Sequence, residues 1–163
     1  MDKLTFCAPC MFGLESVLSG EIRRMGAEIV EATDGRIFFS GDLTTLIEAN
    51  LWLRTAERVM IVVGSFKAMS FTELFDGVRA LPFEDFIGVR DAFPVKGYSI
   101  NSALFSIPDC QSIIKKAVVE RLKERYKVSW FEETGSLFQL RFSIFKDNVH
   151  IMIDTSEIGR AHV

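Results

Sequence analysis

Between Lys3 and Lys67 the spacing of apolar residues switches from two to nearly four and back, twice, and few folds accommodate that order. Lys3 to Ala8 alternates like a short strand, and Leu14, Val17, Leu18, Ile22 and Met25 then recur at helical spacing up to Gly26. Glu28 to Ala32 and Arg36 to Ser40 are rich in strand formers, and the intervening Thr33-Asp34-Gly35 favours a tight hairpin. Asp42 can accept bonds from the free amides of a second helix, with Leu43, Leu46, Ile47 and Leu51 as its apolar face and an end near Ala56. Arg58 to Lys67 reads as a strand. The order strand-helix-strand-strand-helix-strand predicts a ferredoxin-like βαββαβ unit over residues 1–66, with both helices on one face of a four-stranded sheet.

A second α+β unit follows. Ser70 and Glu73 are placed as a capping box for a helix running through Leu81, and Pro82 stops it. A short turn at Phe83 to Ile87 precedes an extended stretch from Ala92 to Ile100. Ser106, Pro108 and Asp109 open a long helix in which Ile114, Val118, Leu122 and Tyr126 step by four, with Lys116, Glu120, Lys123 and Lys127 on its other side. Phe138 to Ile144 and Val149 to Ile153 alternate about a turn at Lys146-Asp147-Asn148, a closing hairpin. The join at Ser65 to Ser70 is too short for a flexible linker.

Composition narrows the function. At 163 residues the chain fills one core or two small adjoining ones. Its longest apolar run, Val59 to Val63, is far below the roughly 20 residues that span a bilayer, and its start lacks a signal-peptide pattern. With three cysteines and no disulfide framework, the chain is expected to be cytoplasmic and reduced, with no membrane partner. The net charge of -3 excludes a simple polycation, but it is unevenly spread. Residues 93–127 carry seven basic and three acidic side chains, against nine and fourteen in residues 1–92.

Cys7-Ala8-Pro9-Cys10 has the spacing of a thiol redox pair at a strand-to-helix junction, although no thioredoxin pattern follows and such cysteines also serve as small apolar packing groups. No metal site is expected, because a second ligand pair is missing beyond Cys110, His150 and His162. Two histidines starve triad chemistry, so no catalytic residue is assigned. No Gly-x-Gly and no P-loop occurs, which removes the common nucleotide-holding turns and leaves no cofactor site expected in this chain. The positive signal is basic: Lys96, Tyr98, Asn101 and Ser102 on or after a strand, then Lys115, Lys116, Arg121, Lys123 and Arg125 on the next helix, a potential phosphate track with one aromatic for stacking. The plainer reading is a solvated helix face paired with Glu120 and Glu124.

Four stretches carry a family resemblance: Ala8-Pro9-Cys10-Met11-Phe12-Gly13-Leu14-Glu15; Leu51-Trp52-Leu53-Arg54-Thr55-Ala56-Glu57-Arg58-Val59; Ser102-Ala103-Leu104-Phe105-Ser106-Ile107-Pro108-Asp109-Cys110-Gln111 followed by Lys115-Lys116-Ala117; and Ile151-Met152-Ile153-Asp154-Thr155-Ser156. In order and spacing the chain resembles bacterial THUMP-containing, SAM-dependent methyltransferases that modify a guanine amino group of large-subunit ribosomal RNA. Members are often labelled adenine-specific DNA methylases. The resemblance implies a ferredoxin-like domain over 1–66 and a THUMP domain, helices packed on a mixed sheet, over 67–156. It also implies that the pair grips structured, ribosomal RNA and presents it to a C-terminal methyltransferase domain holding S-adenosylmethionine. By resemblance Lys96, Tyr98, Asn101, Ser102, Lys115, Lys116 and Lys123 lie where RNA contact is expected, with Arg54 and Arg58 at the end of the preceding unit. Two departures stand out. Glu157-Ile158-Gly159-Arg160-Ala161-His162-Val163 is foreign to the family and reads as a vector remnant over 157–163, and the Asn-Pro-Pro-Tyr type motif that holds the reacting amine is missing, so this stretch alone is not expected to methylate. The residues leave open a thiol redox protein using Cys7 and Cys10, a protein-interaction domain, or a parent acting on DNA or transfer RNA.

Overall fold

The computed structural model describes residues 3–129 and 134–155, and the tail at 157–163 lies outside them. The chain divides into two compact units: one contains the residues up to Val62 together with Asp154 and Thr155, the other Val63 to Ile153.

In the first unit, β1 (Leu4–Pro9), α1 (Glu15–Arg24), β2 (Glu28–Thr33), β3 (Arg36–Gly41), α2 (Leu43–Trp52) and the start of β4 (Met60–Lys67) follow in the expected βαββαβ order. The strands lie in the order β2-β3-β1-β4, with β1 antiparallel to both β3 and β4. Phe6 pairs with Phe39 in register, their rings 5.3 Å apart, and Leu18, Ile22, Ile37 and Leu46 bury around them. The Asp34-Gly35 hairpin forms as expected, with Gly35 at φ +82. Asp42 caps α2 through Thr45 in a reciprocal box.

α2 ends at Trp52 rather than near Ala56. Leu53 is extended, and the amides of Arg54 and Thr55 donate to the Glu21 carboxylate of α1 at 3.1 and 3.0 Å, so the chain leaves the helix for a tertiary partner. At the unit's other end Thr155 donates its amide and hydroxyl to Val59 O, and Asp154 pairs with Arg58 at 3.0 Å.

The second unit continues β4 and adds α3 (Phe71–Arg79), a 3-10 turn (Phe83–Asp85), β5 (Val95–Ile100), α4 (Ile107–Tyr126), β6 (Leu140–Phe145) and β7 (Asn148–Asp154). Its strand order is β4-β7-β6-β5, a mixed sheet in which β6 runs antiparallel to β7 and parallel to β5, and β5 is an edge. Ile114, Val118 and Leu122 of α4, with Leu74 and Val78 of α3, bury against Leu140, Phe142, Ile144, Val149, Ile151 and Ile153. Ser70 caps α3 as expected, but the returning Glu73 carboxylate takes the Met69 amide (3.0 Å) rather than that of Ser70. Among the described residues no helix is long and apolar enough to cross a membrane.

α4 is tied to the 3-10 turn by charge. Arg121 donates two bonds to Glu84, at 2.9 and 2.7 Å, with Arg125 3.5 Å away, and the Tyr126 hydroxyl donates to Ile87 O at 2.6 Å. The Arg121 hydrogen bonds hold the Glu84 carboxyl below its ordinary value of 4.5. A depressed folded value means the unfolded chain takes up the proton first, so this stabilisation is present above pH 4.5 and is lost as the pH falls through the lower folded value. Glu84→Gln is expected to cost about 1–3 kcal/mol at pH 7 and to flatten the acid limb of stability, read by urea unfolding from pH 7 to 3. Gly97→Ala, whose Cβ would fall on the Phe142 carbonyl of the neighbouring strand, is expected to lower the urea midpoint by an amount equivalent to about 1–3 kcal/mol.

Candidate nucleic-acid interface

The period of two along β5 decides which groups face outward. Val95 packs on the core and Gly97 lies against Phe142, so Lys96, Tyr98 and Ile100 turn to the opposite face and stand exposed. Pairing with β6 and β7 sets rows across that face: Lys96 beside Arg141, and Tyr98 beside Ser143 and His150. Arg141 therefore joins the cationic group, a residue that the sequence reading treated only as the polar member of an alternating strand.

The loop after β5 is built rather than slack. Asn101 sits at φ 49, the Ser102 hydroxyl donates to Ile100 O (2.9 Å) and accepts from the Asp147 amide (3.0 Å), and Asp147 takes the Ala103 amide (2.8 Å). Asp147 belongs to the β6-β7 turn, where Lys146 and Asp147 both have positive φ. Ser102 thus acts as a strut holding this loop to the turn, while Asn101 is exposed and Phe105 is 79% exposed. Phe145, with the Lys146 ammonium 5.2 Å from its ring centre, completes an aromatic and cationic rim that sequence spacing did not reveal, because it is the pairing of Phe145 with Ile100 that brings it beside the end of β5.

The helix cations lie elsewhere. α4 covers the core face of the sheet, the face opposite Lys96 and Tyr98, so strand and helix do not present their charges on the one side that the phosphate track expected from the sequence requires. They flank the β5 edge from its two sides instead. Lys115 is half-buried: its ammonium lies 3.8 Å from the Phe93 ring centre and donates to Phe93 O, two residues before β5. Lys116 is exposed, and Lys123, two turns on, is half-buried along the same helix face. The acidic partners also differ from those the helical spacing suggested. Glu84 engages Arg121 and Arg125, and Glu124 pairs with Arg79 of α3.

Of the two arginines assigned to the first unit, Arg58 is engaged by the buried Asp154, which makes it a tie within that unit. Arg54 is exposed and lines a cleft of about 440 Å³ with Glu21, Arg24, Met25, Glu48 and Trp52. Trp52 is 66% exposed, and its position two residues before Arg54 was the available signal for it.

The thiols argue for packing. Burial pushes Cys7 up to about 12, and burial first, with the Glu15 and Glu57 charges, raises Cys10, so both remain protonated near neutrality and lack a redox nucleophile. Among the described residues no group of three or more metal-ligating side chains occurs. The β1-α1 turn does not fit S-adenosylmethionine: the Glu15 carboxylate already takes the Gly13 and Gly35 amides at 2.8 and 2.9 Å, placing a negative charge where an anionic cofactor group would need donors.

Comparison with known proteins matches this architecture. Residues 5–60 match the family model of the RlmL ferredoxin-like domain, and residues 68–154, more than half of the chain, match that of the THUMP domain. A Bacillus subtilis protein named "Putative RNA methyltransferase YpsC" is 43% identical over 98% of this chain, which covers 42% of that protein. The ribosomal RNA large subunit methyltransferase K/L of Cellvibrio japonicus is 29% identical over 73% of this chain and 16% of its own length. A crystal structure of SMU.472, described as a putative methyltransferase complexed with SAH, superposes with a TM-score of 0.89 at 37% identity, covering 94% of this chain and 42% of that one. The chain thus spans less than half the length of these relatives. With its α+β architecture, a ferredoxin-like βαββαβ unit ahead of helices packed on a mixed sheet, the chain belongs to the THUMP domain family.

Proposed function

We propose that this chain is the RNA-gripping region of a SAM-dependent methyltransferase that acts on structured RNA, ribosomal RNA foremost. The observation that carries this reading is the edge of β5, where Lys96 and Tyr98 stand exposed on one side and Lys116 is exposed on the other. Cations on either side of an edge strand suit a ridge placed between two phosphate runs, and an exposed tyrosine among them offers a stacking surface for an unpaired base. Arg141, Asn101 and Lys123 extend the track, with Ser102 shaping the loop and Lys115 fixing the approach of α4 to β5. In the first unit Arg54 adds a second contact, and Arg58 serves to hold its last strand. The kinship with an RNA methyltransferase and with a ribosomal RNA enzyme supports the RNA assignment, and the SAH-bound relative supports S-adenosylmethionine as methyl donor for the whole protein.

In this proposal the work divides near residue 66, with a ferredoxin-like domain over 1–66 and a THUMP domain over 67–156. Residues 157–163 are foreign to both, and the reaction belongs to a C-terminal methyltransferase domain in the cytoplasm. Selection of the base to be modified and methyl transfer then occur outside these residues, whose task is to fix where the RNA lies.

Lys96→Ala/Lys116→Ala is expected to weaken binding to a ribosomal RNA hairpin and to lower the slope of log affinity against log salt by up to about 1.8, since each lost phosphate contact removes about 0.7–0.9. Filter binding from 50 to 300 mM salt reads both effects. An unchanged slope would remove these lysines from the interface.

A further inference from the structure

Apart from Arg54, the cleft in the ferredoxin-like unit is made of parts that the phosphate track does not use. Glu21 and Arg24 come from the last turn of α1, Glu48 and Trp52 stand one turn apart at the end of α2, and Arg54 follows. Trp52 leaves two thirds of its surface open. Glu21 is already spent on the amides of Arg54 and Thr55 and on the Thr55 hydroxyl, so it sets the shape of the cleft and fixes where Arg54 departs from the backbone. Arg24 and Arg54 are exposed, and among the described residues neither lies at ion-pair distance from a carboxylate, although the Arg24 charge helps to lower the Glu21 carboxyl. That leaves an open indole face, two guanidiniums and the Glu48 carboxylate around a space of about 440 Å³.

The electrostatics select among ligands. Both helices end at this cleft, so their carbonyl termini add negative potential, while the charges of Glu21 and Glu48 balance those of Arg24 and Arg54. A bare phosphate is poorly served there. A flat heteroaromatic ring that stacks on the indole while offering donors on one edge and acceptors on another is well served. Guanine has that pattern: N1–H and the exocyclic amine can donate in parallel to a carboxylate, and O6 and N7 accept from a guanidinium. Adenine and cytosine present an amine next to a ring acceptor, which would face the second carboxylate oxygen. Uracil has a single ring donor between two carbonyls.

We propose that the Trp52 cleft binds one unstacked guanine of single-stranded RNA, with Trp52 as the stacking wall, Glu48 accepting from the Watson–Crick edge, and Arg54 or Arg24 donating to O6 and N7. This rests on the RNA-binding reading above but names a separate site in the other unit, one that reads a base rather than a backbone.

The test uses the full chain carrying Trp130→Phe, so that Trp52 is the sole tryptophan, titrated with RNA pentamers that differ only in a central G, A, C or U. Saturable quenching of Trp52 with the G pentamer is expected, at least about tenfold tighter than with the other three. In anisotropy measurements on labelled pentamers, Trp52→Leu and Arg54→Ala should each weaken the G pentamer several-fold. Glu48→Gln should abolish the preference among bases while stacking persists. Lys96→Ala/Lys116→Ala should weaken a structured hairpin and leave the G preference intact. Equal affinity for all four pentamers, or no quenching while the hairpin still binds through Lys96 and Lys116, overturns the guanine site and leaves the track standing. If neither pentamer nor hairpin binds, both readings fall.

Discussion

The seam between α4 and alternate residues of β6 and β7 is the constraint on which the interface depends. Ile114, Val118 and Leu122 are fully buried against Phe142, Ile144 and Ile151, and each such side chain contributes roughly 1.5–3 kcal/mol when removed from water. Because strand side chains alternate, burying that set fixes the register of β6, and parallel pairing carries it to β5. A slip of one residue would send Lys96 and Tyr98 inward and Val95 outward, at the loss of much of the core. The outward set is therefore a consequence of packing, and the face on which the cationic edge stands is set by the core behind it.

The first unit reaches a similar end with polar ties. A single carboxylate, Glu21, takes two amides and a hydroxyl at the point where α2 gives way to β4. Asp154 and Thr155, far along the chain, close on Arg58 and Val59 of the same unit. Such ties are worth more when the acceptor is charged, and they leave Trp52 and Arg54 projecting from a fixed base. The two units thus offer different chemistries, a cationic ridge in one and an aromatic cleft with mixed charge in the other.

Much of this was legible in the sequence because it is periodic. The βαββαβ order, the Asp34-Gly35 turn, the caps at Asp42 and Ser70 and the closing hairpin rest on local patterns, and they form as expected. What periodicity cannot carry is which face a neighbouring element covers. Lys96 and Lys115 both belong to the basic segment, yet α4 packs over the face of β5 that Lys96 avoids, so one lysine is exposed while the other is drawn onto Phe93. Glu84, from a 3-10 turn, displaced the helical partners expected for Arg121. Arg141 and Phe145 gained their place only through pairing with β5.

Footprinting of lysine ammonium groups by a reductive methylation reagent, on the full chain with and without a ribosomal RNA hairpin, tests the central claim most directly. The account predicts that Lys96 and Lys116 are protected together by RNA, while Lys3, exposed and paired with Glu28 in the first unit, keeps its reactivity. Protection of Lys3 and Lys67 with Lys96 and Lys116 unchanged would contradict it.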